Sequence, residues 1–295
     1  MYRACRNGYT DIIRLLVRHG ANIDARGATE FEFEGNGDQT ALQAATINGH
    51  ADSVAILLEN GAQVNEEDPE FGTALQIVSA LGHTDTARVL LRNDADLRPH
   101  WGKYGSALYA ASNAGHADIA QLLLEHGADM YALGGHFGSA LQAASSEGHT
   151  DIVSTFLAHG ANVNEFGDVF QEACRSGNDT MVRLLLASGA DVDLRQGKYP
   201  NALEIACGKG HFQIVQLLLT NGADLTARGG RAMRAASRSF NFDIVRLLED
   251  HGVVNTWRLS DSDSDSVKSQ GSWMTIQVLD DDSRQALENG PDVIE

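Results

Sequence analysis

The sequence predicts an all-α solenoid of about eight helix-turn-helix repeats with a disordered acidic C-terminal tail. Three observations lead there. A glycine slot after a leucine-rich stretch recurs at positions 20, 61, 94, 127, 160, 189, 222 and 252, with Asp94 as its one substitute, and the steps cluster at 33 residues. Each period holds a small-residue stretch such as ALQAA and then an apolar one such as SVAILL. The repetition stops at Val254, and the Ser, Asp and Gly content beyond it reads as disorder.

One period explains its own residues. Thr40, Thr73, Ser106, Ser139 and Asn201 stand where a side-chain oxygen caps a first helix. Small residues after the cap let that helix pack closely on its neighbours. Gly8, Gly49, Gly82, Gly115, Gly148, Gly177 and Gly210 make the turn out of it, and Asp11, Asp52, Asp85, Asp118, Asp151 and Asp243 open the second helix at the positive end of its dipole. The recurring glycine past LLLEH ends that helix in the left-handed conformation. One copy cannot bury its apolar face, so the copies stack.

These words resemble the ankyrin repeat: TALQAATINGHADSVAILLENGAQVN is similar to the TPLHxA opening, Gly-His turn, IVxxLL helix and GADVN ending of that family. The resemblance covers residues 1–254, divided as 1–26, 27–67, 68–100, 101–133, 134–166, 167–195, 196–228 and 229–254, with 255–295 as the tail. YGSALQAAS with Gln at the His slot also resembles arrays of large fungal signalling proteins. The departures have readings too. The 41-residue first step makes ARGATEFEFEGNGDQ an extended turn, and the 29- and 30-residue steps shorten the turns near Asp168 and Gly230. The glycines at 35–37, 134 and 229 read as turn glycines, Phe240 replaces the turn glycine of the last repeat, and IVRLLEDHG gives that repeat a charged, capping character. Met1 falls on the leucine slot, so either upstream repeats precede it or the first helix frays.

Composition removes several function classes. With 295 residues and 43% apolar content the chain buries a large core, and no apolar run reaches the roughly 18 residues of a membrane span. The N-terminus has no secretory signal, which makes the expected location cytoplasmic or nuclear. His50, His83, His116, His149 and His211 follow turn glycines, while His19, His126, His159 and His251 precede helix-ending ones. Cys5, Cys174 and Cys207 share the small-residue slot of Thr46, Ser79, Ser112, Ser145 and Ser237 and read as buried thiols. Lacking CxxC or zinc spacing, the sequence predicts no metal; lacking GxxxxGK[ST] or GxGxxG, it predicts no nucleotide or other cofactor and no enzyme. A net charge of −18 argues against nucleic acid.

What remains is protein recognition. A concave surface would use positions just before the turn glycine, including Arg6, Ile47, Asn48, Leu81, Asn113, Arg175, Lys209 and Arg238, together with Arg234 and the turns. Trp101, Tyr131 and His136 are irregular within the repeat and read as partner contacts. Phe71, Tyr104, Phe137 and Tyr199 either prop the turns or meet a partner. Residues 27–87 carry a net −11, which is either a solvated face or a field that favours a basic partner segment. In the tail, Ser260 and Ser262 resemble acidophilic kinase sites. IQVLDDD, through Ile276, Val278 and Leu279, resembles a motif that adds a strand to small ubiquitin-like modifiers. The expected function is a non-enzymatic scaffold or adaptor; the alternative is a structural or regulatory segment of a larger signalling protein, truncated at its N-terminus.

Overall fold

The computed structural model describes residues 1–27, 39–68, 71–98, 103–134, 138–165, 168–195 and 200–254. Two compact units divide the chain at Asn162 and Val163. The first unit contains α1 (Tyr2–Arg6), α2 (Thr10–Arg18), α3 (Ala41–Ile47), α4 (Ala51–Glu59), α5 (Ala74–Leu81), α6 (Thr84–Arg92), α7 (Ala107–Ala114), α8 (Ala117–Glu125), α9 (Ala140–Ser146) and α10 (Thr150–Ala158). The second contains α11 (Val169–Ser176), α12 (Asp179–Ala187), α13 (Ala202–Lys209), α14 (Phe212–Thr220), α15 (Leu225–Arg238) and α16 (Phe242–Asp250). Odd-numbered helices open a repeat and even-numbered helices close it.

The capping slots hold. Thr40, Thr73, Ser106, Ser139 and Asn201 each accept a hydrogen bond from the backbone N–H three residues on. At Thr40, Thr73 and Ser139 the glutamine three residues later accepts from the cap's own N–H in return, at 2.7–2.9 Å. Two otherwise orphaned donors are satisfied at once. Gln76 also reaches forward, its Nε2 donating to the Gly105 carbonyl of the next repeat.

Within each unit, first helices stack on first helices and second on second. The first-helix layer buries Ala41, Ala44 and Ala45 around Leu42, the same pattern returns at Leu108 and Leu141, and Ile77 and Val78 beside Leu75 and Ile205 beside Leu203 take alanine places. Second helices contribute larger groups, including Val54 and Leu57, Leu90, Leu123, Phe156, Leu185, Leu218 and Leu248. Alanine takes less room than leucine, so the first-helix layer of each unit is built from smaller groups than the second-helix layer. The small-residue layer of first helices is the side that the sequence reading expects to be concave.

Three turns carry more structure than the sequence indicates. Short antiparallel pairs close them: β1 (Arg26–Gly27) with β2 (Gln39–Thr40), β3 (Glu67–Asp68) with β4 (Gly72–Thr73), and β5 (Leu133–Gly134) with β6 (Gly138–Ser139). The first is the base of the extended turn, whose interior, with the glycines at 35–37, lies outside the described residues.

The reading of Gly229 as a turn glycine needs correction. It lies inside α15, whose 14 residues replace both the turn and the short first helix seen in other repeats. Packing explains the glycine there: a Cβ would stand 2.8 Å from Cγ2 of Val253.

Candidate functional site

The residues proposed to face a partner are held from behind by the histidine column. His50 Nε2 donates to the Arg6 carbonyl at 3.0 Å, His83 to Ile47 at 3.0 Å, His116 to Ala80 at 3.2 Å, His149 to Asn113 at 3.3 Å and His211 to Arg175 at 3.2 Å. A carbonyl only accepts, so Nε2 carries the proton in each case. In the last repeat Asn241 Nδ2 does the same to Cys207 at 2.9 Å. Each of these rings, or the Asn241 amide, lies against the turn glycine of the preceding repeat; on Gly82 a Cβ would meet His116 at 2.5 Å. The other column, His126, His159 and His251, turns Nδ1 back onto carbonyls of its own helix at 2.8–2.9 Å. Among the described residues no group of three or more His, Cys, Asp or Glu is placed to hold a metal ion.

Cys5, Cys174 and Cys207 are free thiols with no exposed surface. Burial pushes Cys5 up to about 11 and Cys207 up to about 12, the latter helped by Glu204, and raises Cys174 by burial alone. A nucleophilic cysteine needs the opposite shift.

Fixed backbone carbonyls leave the side chains at the inner helix ends facing out. Asn48 is exposed, Leu81 is 42% exposed and Lys209 is exposed, while Ile47 and Asn113 are half-buried. Tyr131 stands 49% exposed in a turn braced by Asp129, whose carboxylate accepts from the Tyr131 N–H at 2.9 Å. Trp101, His136, Ser260, Ser262, Ile276, Val278 and Leu279 lie outside the described residues, as do Phe137 and Tyr199. Phe71 and Tyr104 come together, ring centroids 6.4 Å apart, and the Lys103 ammonium sits 5.6 and 5.8 Å from the two centroids. Neighbouring turns are thus propped against each other with a cation above them.

The basic residues differ in how they are held. Arg175 donates from Nε to both Glu172 oxygens at 2.9 Å and is held against its own helix. Arg228 binds the Asp193 carboxylate at 3.2 Å and its carbonyl at 2.6 Å, tying α15 to the preceding turn. Arg231, Arg234 and Arg238 instead line a cleft of about 290 Å³ with Glu204 and Ala235. On the acidic side, Glu66 is engaged by Arg26 at 2.6 Å, whereas Glu67 is exposed.

Sequence reasoning passed over two exposed apolar features. Tyr9, which caps α2, and Ile12 and Leu15 on it form a half-exposed stripe spaced three apart and visible in principle as YTDIIRLL. Phe240 and Asn241 replace the Gly-His pair of the other turns, and Phe240 and Phe242 stand 76% and 63% exposed with ring centroids 6.4 Å apart. No helix among the described residues is long and apolar enough to cross a membrane.

The fold agrees with what the chain is similar to. A family model described as ankyrin repeats (3 copies) matches residues 1–68, 65–134, 131–196 and 170–256. The protein fem-1 homolog CG6966 of Drosophila melanogaster is 38% identical over 63 residues, 21% of this chain and 10% of that protein, so the chain matches about a tenth of that relative's length. The crystal structure of the human ASB11 ankyrin repeat domain superposes with a TM-score of 0.64 at 25% identity, covering 76% of this chain and 97% of that one. Arrays of this kind are in general protein–protein interaction modules and typically not enzymes. With repeats matched from residue 1 to 256, the chain belongs to the ankyrin-repeat family.

Proposed function

We propose that the array is a non-enzymatic scaffold or adaptor that binds other proteins through its inner helix ends and the turns between repeats. The observation that carries this reading is the carbonyl clamp. Arg6, Ile47, Ala80 and Asn113 have their backbones pinned by a histidine of the next repeat, while Asn48 and Leu81, next to two of them in sequence, are exposed. A pre-ordered row of side chains loses little entropy when a partner docks, which favours recognition. Leu81 and the Phe71–Tyr104–Lys103 cluster supply an apolar and cationic anchor of the kind that concentrates binding energy. The exposed Glu67 and the acidic composition of residues 27–87 favour a basic segment on the partner.

Affinity capture with quantitative mass spectrometry tests this, using the full chain and a Leu81→Asp, Tyr104→Ala, Lys103→Ala variant matched in melting temperature. Partners lost from the variant and retained by a control altered on the second helices, such as Gln121→Ala, support the surface. An unchanged partner set overturns it.

A further inference from the structure

Arg231, Arg234 and Arg238 are spaced three and four apart, which sets their guanidinium groups along one side of α15. They line a cleft of about 290 Å³ whose one acidic side chain is Glu204. Among the described residues none of the three takes part in an ion pair, although the chain carries 40 acidic side chains against 22 basic ones. Arg228, one turn earlier, shows the alternative, being committed to Asp193. Three like charges converging on one cleft repel each other, and a polyanion relieves that repulsion.

The chain itself supplies one. Val253 packs on Gly229 within α15, so Val254, the last described residue, stands beside this helix. Between Arg258 and Lys268 the only charges are those of Asp261, Asp263 and Asp265, at alternate positions. Gly229 and Arg231 face opposite sides of α15. At about 3.3 Å per residue, the six steps from Val254 to Ser260 reach about 20 Å, enough to round half of a helix about 10–12 Å across. Alternate residues of an extended strand repeat every 6.6 Å or so on one side, close to the roughly 4.5 and 6 Å rises that separate the three arginines along the helix.

We propose that the arginine face of α15 is a docking site for an acidic peptide and that its occupant is the chain's own segment Ser260–Ser266, with Asp261, Asp263 and Asp265 set against Arg231, Arg234 and Arg238. Tethering makes the effective concentration high, so a weak contact is well populated. This goes beyond the partner surface of the first unit and does not depend on it.

Paramagnetic relaxation enhancement on the full chain is the test. A nitroxide on Ser266→Cys labels selectively, because Cys5, Cys174 and Cys207 are fully buried. The expected result is loss of most amide peak intensity over residues 231–238 at low salt, recovered in Asp261→Asn, Asp263→Asn, Asp265→Asn carrying the same label, and recovered again at high salt. The neutralised tail controls for tethering alone. Equal broadening in both chains, or broadening centred elsewhere than α15, overturns the proposal. Mixing labelled chain with isotope-enriched unlabelled chain separates a second copy: broadening that appears in the mixture refutes docking within one chain. A poly-aspartate peptide that shifts the arginine Nε–Hε signals while the tail label leaves them untouched would refute this occupant and leave the cleft to an acidic segment of another protein.

Discussion

The imidazole of His83 lies against the turn glycine Gly49 and donates to the Ile47 carbonyl, 36 residues back, at 3.0 Å. Gly49 has φ +69°, and a Cβ on it would meet His83 Nδ1 at 2.7 Å, so glycine is required there by conformation and by contact together. The same pairing welds each repeat to the next within a unit.

His83→Ala is therefore expected to destabilise the array by about 1–2 kcal/mol, the cost of a carbonyl left without its donor. His83→Asn should retain most of that, because Asn241 makes the equivalent bond at 2.9 Å. Urea midpoints of the two variants check this. Equal losses would mean the ring acts by bulk rather than by its N–H.

The thiols make a second prediction with a defined sign. Burial raises the folded-state pKa of Cys207 to about 12, so its thiol stays protonated in the native chain at pH values where the unfolded chain ionises. Stability attached to it is complete below about pH 9 and declines as pH rises toward 12. Cys207→Ala should flatten that decline in a stability–pH series. At neutral pH an aromatic disulfide reagent should react with all three cysteines at a rate set by opening of the fold and accelerated by denaturant.

Much of this was legible because the repeat is written in the residues that make it. The caps at Thr40, Thr73, Ser106, Ser139 and Asn201, the turn glycines and the histidine columns follow from local chemistry recurring at a fixed spacing. The glutamine half of the capping box was equally visible as Thr or Ser followed three residues later by Gln43, Gln76 and Gln142. What composition does not give is pairing. Whether an arginine is committed, like Arg228 and Arg175, or faces a cleft, like Arg231, depends on which side of the helix it occupies. Gly229 misled for a related reason, because a glycine needed for contact with Val253 looks in sequence like one needed for a turn.

Phe240 holds the left-handed conformation, φ +58°, that glycine holds in the other turns, and it is 76% exposed. A branched or bulky residue there costs roughly 1–2 kcal/mol. Phe240→Gly should relieve that strain and raise the melting temperature, while Phe240→Ala, which keeps a Cβ, should not. A Phe240→Gly chain that melts lower would show that the contact with Phe242 outweighs the strain.

Arg175 stood among the partner contacts on position alone, and its geometry gives a different expectation. Glu172 is buried, with 8% of its side chain exposed, and the Arg175 guanidinium that binds it is 40% exposed. Removing the arginine takes the opposite charge away from a buried carboxylate in the first-helix layer. A fully buried pair broken this way costs about 3–5 kcal/mol, and the solvent reaching Arg175 reduces the figure here to about 1–2 kcal/mol. Arg175→Ala should lower the urea midpoint accordingly, and adding Glu172→Gln should restore part of it by removing the charge that needs compensation. The partial rescue separates this account from a contact role, since a side chain that only touched a partner would change affinity and leave the isolated chain as stable as before. Equal stability of Arg175→Ala and the parent chain would return Arg175 to the recognition surface.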